Sequence, residues 1–63
     1  MASDEDLWQT AWIIADQYGA EGVGFAATMA QSFEIGGKSE EQQTWLIIMQ
    51  RVDELTRDSA GRQ

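Results

Sequence analysis

Phe33-Glu34-Ile35-Gly36-Gly37-Lys38-Ser39-Glu40-Glu41-Gln42 is the stretch that divides this chain. Two adjacent glycines stop an apolar helical run. Ser39, with Gln42 three residues on, then opens another. In that capping box the Ser hydroxyl takes a free backbone N–H and the later side chain reaches back to a second. Glu40 and Glu41 would occupy the first turn, where the helix dipole favours anions. The stretch therefore predicts one helix ending near Ile35 and another running from Glu40 to about Arg57.

Upstream of it, Phe25, Met29 and Phe33 recur every four residues. Gly22, Ala26 and Ala30 form a neighbouring stripe at the same spacing. Small side chains at that spacing let a second backbone come close, and the large ones beside them fill the remaining space. The helix is expected over about 21–35. The spacing leaves open whether Gly22 to Gly24 is helix or loop, because Gly costs about 1 kcal/mol relative to Ala inside a helix. Downstream, Leu55, Ile48, Val52, Trp45 and Met49 make one buried face. Asp53 and Arg57 form an i,i+4 pair worth a few tenths of a kcal/mol, roughly, when exposed. Residues 58–63 are expected to fray.

The first segment, over about 4–18, has the same punctuation. Ser3 is the N-cap, with Asp6 in the capping-box position, and Asp4, Glu5 and Asp6 sit in the first turn. On a wheel, Ile14, Leu7, Tyr18, Ala11, Ala15, Trp8 and Trp12 make one broad face, and Ile13 falls outside it. Gly19 stands where a left-handed C-cap is needed. No alternating run suggests a strand. The expected fold is all-α: three short helices in a single small bundle over 1–63. The short turns make successive helices antiparallel neighbours, or a hairpin with the third helix across it.

Composition narrows the function classes. At 63 residues the chain buries only about 60% of its unfolded surface. With no Cys, disulfides and thiolate metal sites are excluded, and with no His a conventional zinc site is not expected, leaving close packing or self-association as the means of stabilisation. The net charge is −7, from 11 acidic and 4 basic residues. Lys38, Arg51, Arg57 and Arg62 are scattered among acids, which argues against binding nucleic acid or anionic membrane. The acidic start lacks the basic region of a secretory signal, so a cytoplasmic protein is expected.

No catalytic constellation is present. The glycines at 19, 22 and 24 follow a helix, have the wrong spacing for a phosphate loop, and lack the Lys-Ser/Thr that should follow. Asp4-Glu5-Asp6 and Glu40-Glu41 are explained by helix starts, and Asp53-Glu54 by a solvated face. Ser3 and Ser39 have no His to act as base. Trp8 and Trp45 are expected in the core. Neither catalytic residues nor cofactor ligands are expected, and the chain reads as non-enzymatic.

What the caps and faces leave over is apolar surface. Ile13 points away from the main face of the first helix, as do Leu46 and Ile47 in the third, and Trp12 lies at the edge of its face. Trp12, Ile13, Leu46 and Ile47 are the candidate interface, for a homodimer or for docking on a protein partner. The alternative is an acidic decoy that mimics nucleic acid and occupies a nucleic-acid-binding surface.

The joint spacing of Leu7-Trp8, Ala11, Gly19, Phe25, Gly37, Trp45, Ile48, Arg51 and Leu55 resembles a family of very short alphaproteobacterial proteins of unknown function, common in sphingomonads. The resemblance covers roughly residues 4–57. Members often have His where this chain has Tyr18, Pro where it has Val23, and Arg where it has Met29 or Gln31. The resemblance implies a small helical bacterial protein and supplies no catalytic residue to carry over.

Overall fold

The computed structural model describes the backbone of residues 3–61 and the side chains up to Arg57. Those residues form three α-helices: α1 over Asp4–Tyr18, α2 over Gly22–Ile35 and α3 over Ser39–Gly61. A single 3-10 turn, Gly19–Glu21, joins α1 to α2, so helical backbone runs with one bend from Asp4 to Ile35. No strand occurs among the described residues. The chain is all-α, as its patterning predicts.

Each boundary has a local cause. Ser3 is extended, and its hydroxyl accepts from the Asp6 N–H at 3.2 Å. Gly19 closes α1 with φ +56°, donating its N–H to the Ala15 carbonyl. At the end of α2 the Lys38 N–H reaches the Phe33 carbonyl at 2.8 Å and the Gly37 N–H reaches the Glu34 carbonyl at 3.1 Å. This nested pair is the Schellman arrangement, and it requires a left-handed residue, here Gly37 with φ +76°. Gly37→Ala should therefore cost about 1 kcal/mol, because an L side chain is strained there. A urea titration followed by circular dichroism checks this, and an unchanged midpoint would contradict it.

The start of α3 differs from the sequence reading. The Lys38 carbonyl accepts the Gln42 N–H at 2.9 Å, so Lys38, not Ser39, holds the N-cap position. No capping bond from the Ser39 hydroxyl is found among the described residues. The Schellman turn ends on Lys38 and delivers the backbone directly into helix, one residue earlier than the capping box suggests. At the other end, α3 continues past the expected stop at Arg57 to Gly61. The part of the tail expected to fray that comprises 62–63 lies outside the described residues.

Antiparallel packing of α2 on α3 is the main interface; the equally short turn between α1 and α2 produces little packing, so of the two expected arrangements the hairpin with the remaining helix packed on it is the one formed. Gly22 lies against Val52 and Phe25 against Trp45, so the order reverses along the two helices. α1 packs on α3 and touches α2 little. The core is Ala11, Ile14, Ala26, Ile48 and Val52, with Leu7, Val23, Phe25, Trp45, Met49 and Leu55 around it. The stripe Gly22, Ala26 and Ala30 is buried as its spacing predicts, with the glycines of its first turn in helix. Phe25, Met29 and Phe33 flank it half-buried.

The broad apolar face read for α1 is narrower in the structure. Ala11 and Ile14 are buried, while Leu7, Trp8 and Ala15 are half-buried. Tyr18 and Trp12 are exposed. The physical reason is coverage. The shortest dimension of the molecule is 15 Å, which is two helix layers at the usual 8–10 Å spacing. Its radius of gyration, 11.6 Å, exceeds the roughly 10.6 Å of a compact chain of this length. Two layers enclose one stripe per helix, and side chains at the stripe edges stay wet.

Candidate interaction surface

The buried positions hold Ala, Val and Ile, while the larger side chains are half-buried around them or exposed. Among fully buried side chains the largest is Val52. Trp12 is 61% exposed, Ile13 53%, Leu46 38% and Ile47 38%. All four residues singled out by the wheel analysis are therefore at the surface. Two others join them: Ile35, 80% exposed, and Tyr18, 43% exposed.

Helix geometry sets how these residues are grouped. Successive residues turn by about 100°, so Trp12 lies to one side of the buried Ala11–Ile14 stripe and Ile13 to the other. Leu46 and Ile47 likewise fall on opposite flanks of the Trp45–Ile48 face. The four do not share one helix face; they border the bundle on two sides. Ile35 was legible in the same way. It sits about 140° around α2 from Ala30, far from the small-residue stripe, but its place beside the glycine turn drew attention to the turn instead. Tyr18 misled because its wheel angle is good, yet it is the last residue of α1. Its ring stacks on Phe25 at 4.5 Å between centroids, and Phe25 meets Trp45 edge-on at 6.2 Å. That ladder covers one ring face and leaves the other open.

Trp12 borders a concavity. This groove, about 780 Å³, lies at the end of the α2–α3 hairpin opposite the Gly36–Lys38 turn. Ala15, Val23 and Leu55 supply apolar lining, and Asp16 and Asp53 supply carboxylates. Its cation, Arg57, is hydrogen-bonded to Asp53, the i,i+4 pair expected from sequence.

Electrostatics follow from where the cations are spent. Arg51 lies 4.9 Å over the Trp8 ring and reaches Asp4 at 3.5 Å and Glu54 at 3.7 Å. The contact across α1 and α3 was not read from the sequence, since Asp4 and Arg51 are remote along the chain and each had a local explanation. It places Trp8 at a half-buried cation–π contact, a role between core and surface. Among the described residues, Glu5, Asp6, Asp16, Glu21, Glu34, Glu40 and Glu41 take part in no ion pair. These carboxylates are unneutralised, among them Asp16, one turn from Trp12, and Glu34, beside Ile35.

No group of three or more possible metal ligands is found among the described residues, and no helix there is long and apolar enough to cross a membrane. Comparison with family models, with curated proteins and with solved structures gives no match for this chain.

Proposed function

We propose that this chain is a non-enzymatic interaction protein of the bacterial cytoplasm, acting by self-association or by docking on a protein partner. One observation carries the reading. The fold buries alanine, valine and isoleucine while leaving Trp12, Ile13 and Ile35 more than half exposed and Leu46 and Ile47 more than a third exposed. Aromatic and large aliphatic side chains are those that anchor interfaces when desolvated. Keeping them outside a core that needs volume is unfavourable for an isolated small domain and favourable for one completed by another surface. The resemblance of the sequence spacing to short alphaproteobacterial proteins is part of the same proposal.

The acidic-decoy reading keeps one supporting observation: Arg51 and Arg57 are both engaged by carboxylates within the chain, so the outer acid is uncompensated. Sedimentation velocity and affinity capture from the native cell, each at low and high salt, separate the readings. An apolar interface should persist at high salt, whereas a decoy complex should weaken steeply. A chain that stays monomeric at high micromolar concentration and captures no protein at either salt would sink the interaction reading.

A further inference from the structure

The groove beside Trp12 combines a shape and a charge that select its occupant. Its walls, Trp12, Ala15, Val23 and Leu55, are apolar, and its volume of about 780 Å³ is within the range that encloses a small ligand or one or two large side chains. Asp16 and Asp53 lie on its lining, and Glu21 is the neighbour of the lining residue Ala20. The Arg57 guanidinium is held by Asp53 and neutralises it, which leaves Asp16, with Glu21 beside the lining, uncompensated. An anchor entering this groove therefore loses water from apolar atoms, while its flanks meet net negative charge.

We infer that the groove receives a cationic, apolar-anchored segment of another protein, such as a helix with leucine-type anchors and flanking Lys or Arg. The inference rests on the interaction reading above and commits it to a heterologous partner at this site. A second copy fits less well. A two-fold contact through this end would set Asp16 and Asp53 against their equivalents, within two chains of net charge −7 each. Lys38 is the described cation outside the ion pairs, and it lies at the opposite end of the hairpin, beside Gly37. An antiparallel two-fold pair would bring each Lys38 to the other chain's groove only by laying two acidic chains alongside each other. Among the described residues no cation outside the ion pairs lies at this end, so a cationic partner supplies the complementary charge, which also speeds encounter.

The probe is a synthetic Leu/Lys peptide of about 14 residues with Leu at helical i, i+3, i+4 spacing. Two controls accompany it: a scrambled peptide of identical composition, and a Leu/Glu peptide of the same pattern. Titration calorimetry and amide chemical shifts of the intact chain are the readouts. At about 50 mM salt the patterned Leu/Lys peptide should bind at least tenfold more tightly than either control. Shifts should concentrate at Trp12, Ala15, Val23 and Leu55. Trp12→Gln and Asp16→Asn, both at exposed positions, should each weaken binding, the first by about tenfold or more. Equal binding of the scrambled peptide would reduce the effect to bulk charge and overturn the inference. Shifts centred on Leu46 and Ile47, unchanged affinity in Trp12→Gln, or no binding would overturn it as well. If the peptide fails while the chain self-associates, the interaction reading stands without this site; if neither occurs, both fall.

Discussion

Gly22→Ala should lower stability by about 1–2 kcal/mol, and Gly22→Leu should abolish the cooperative unfolding transition. A Cβ built on Gly22 would stand 2.9 Å from Val52 Cγ1 and 3.2 Å from Ile14 Cγ2. Both neighbours are β-branched, so neither can swing aside without leaving its preferred rotamer. Both are also buried, at the point where all three helices meet. The helix-propensity gain of Ala over Gly, up to about 1 kcal/mol, opposes this and is smaller in a first turn. Overpacking costs typically about 1–3 kcal/mol, so it prevails for Ala and dominates for the larger Leu. Gly24 is the internal control. A Cβ there meets nothing within 4 Å, so Gly24→Ala should stabilise by about 0.5–1 kcal/mol. The decisive test is the double variant. Val52→Ala removes the nearest methyl, and its cost should combine with that of Gly22→Ala less than additively, by about 1 kcal/mol. Urea titrations followed by circular dichroism measure the parent and all of these variants. A Gly22→Ala chain as stable as the parent, or strict additivity with Val52→Ala, would show that the helices do not meet as closely as described.

Gly22 also shows where sequence reading stops. The i,i+4 stripe Gly22, Ala26 and Ala30 is a local pattern, and it correctly places a close-packed face on α2. Which residues fill the approach, Val52 and Ile14, is a tertiary fact that no spacing within one helix encodes. The same division holds elsewhere. Ser3 and Gly19 were legible because caps depend on a few neighbouring residues. Ser39 was misassigned by one position because the Schellman turn, a longer-range backbone pattern, overrode its capping box. The Asp53–Arg57 pair lies within one turn and was readable; the Arg51 contacts to Asp4 and Trp8 join helices and were not. Of the surface, Trp12, Ile13, Leu46 and Ile47 were readable from their angles alone. Their division between opposite flanks was implicit in those angles, but the groove beside Trp12 depends on how α1, the 3-10 turn and α3 converge.

The thermal midpoint of this protein should rise with its own concentration or with that of its partner, and removing the exposed apolar side chains should erase that dependence. Anything that binds only the folded chain stabilises it by mass action, by about 2.7 kcal/mol at a hundredfold excess over the dissociation constant. The paired variants are Trp12→Gln with Ile13→Gln, and Leu46→Gln with Ile47→Gln. Glutamine keeps helix propensity and leaves the net charge unchanged, so electrostatics stay fixed while the apolar area goes. In the isolated chain, Trp12 and Ile13 are more than half exposed, so their replacement removes little burial and should leave helicity intact. Leu46 and Ile47 are 38% exposed and cover part of the α3 flanks, so that pair should cost more, on the order of 1–2 kcal/mol from lost burial. Differential scanning fluorimetry across a wide concentration range, with sedimentation on the same samples, reads both effects. If the first pair alone flattens the concentration dependence, the interface is on the Trp12–Ile13 edges of α1. If only the second does, it lies on the α3 flanks. Should the Trp12–Ile13 variant unfold outright, those side chains hold the monomer together and the surface assignment is wrong. A parent midpoint that does not vary with concentration in purified form, but rises with the cationic peptide, would place the missing surface on another protein. That outcome follows from the net charge of −7, since two copies of the chain repel each other.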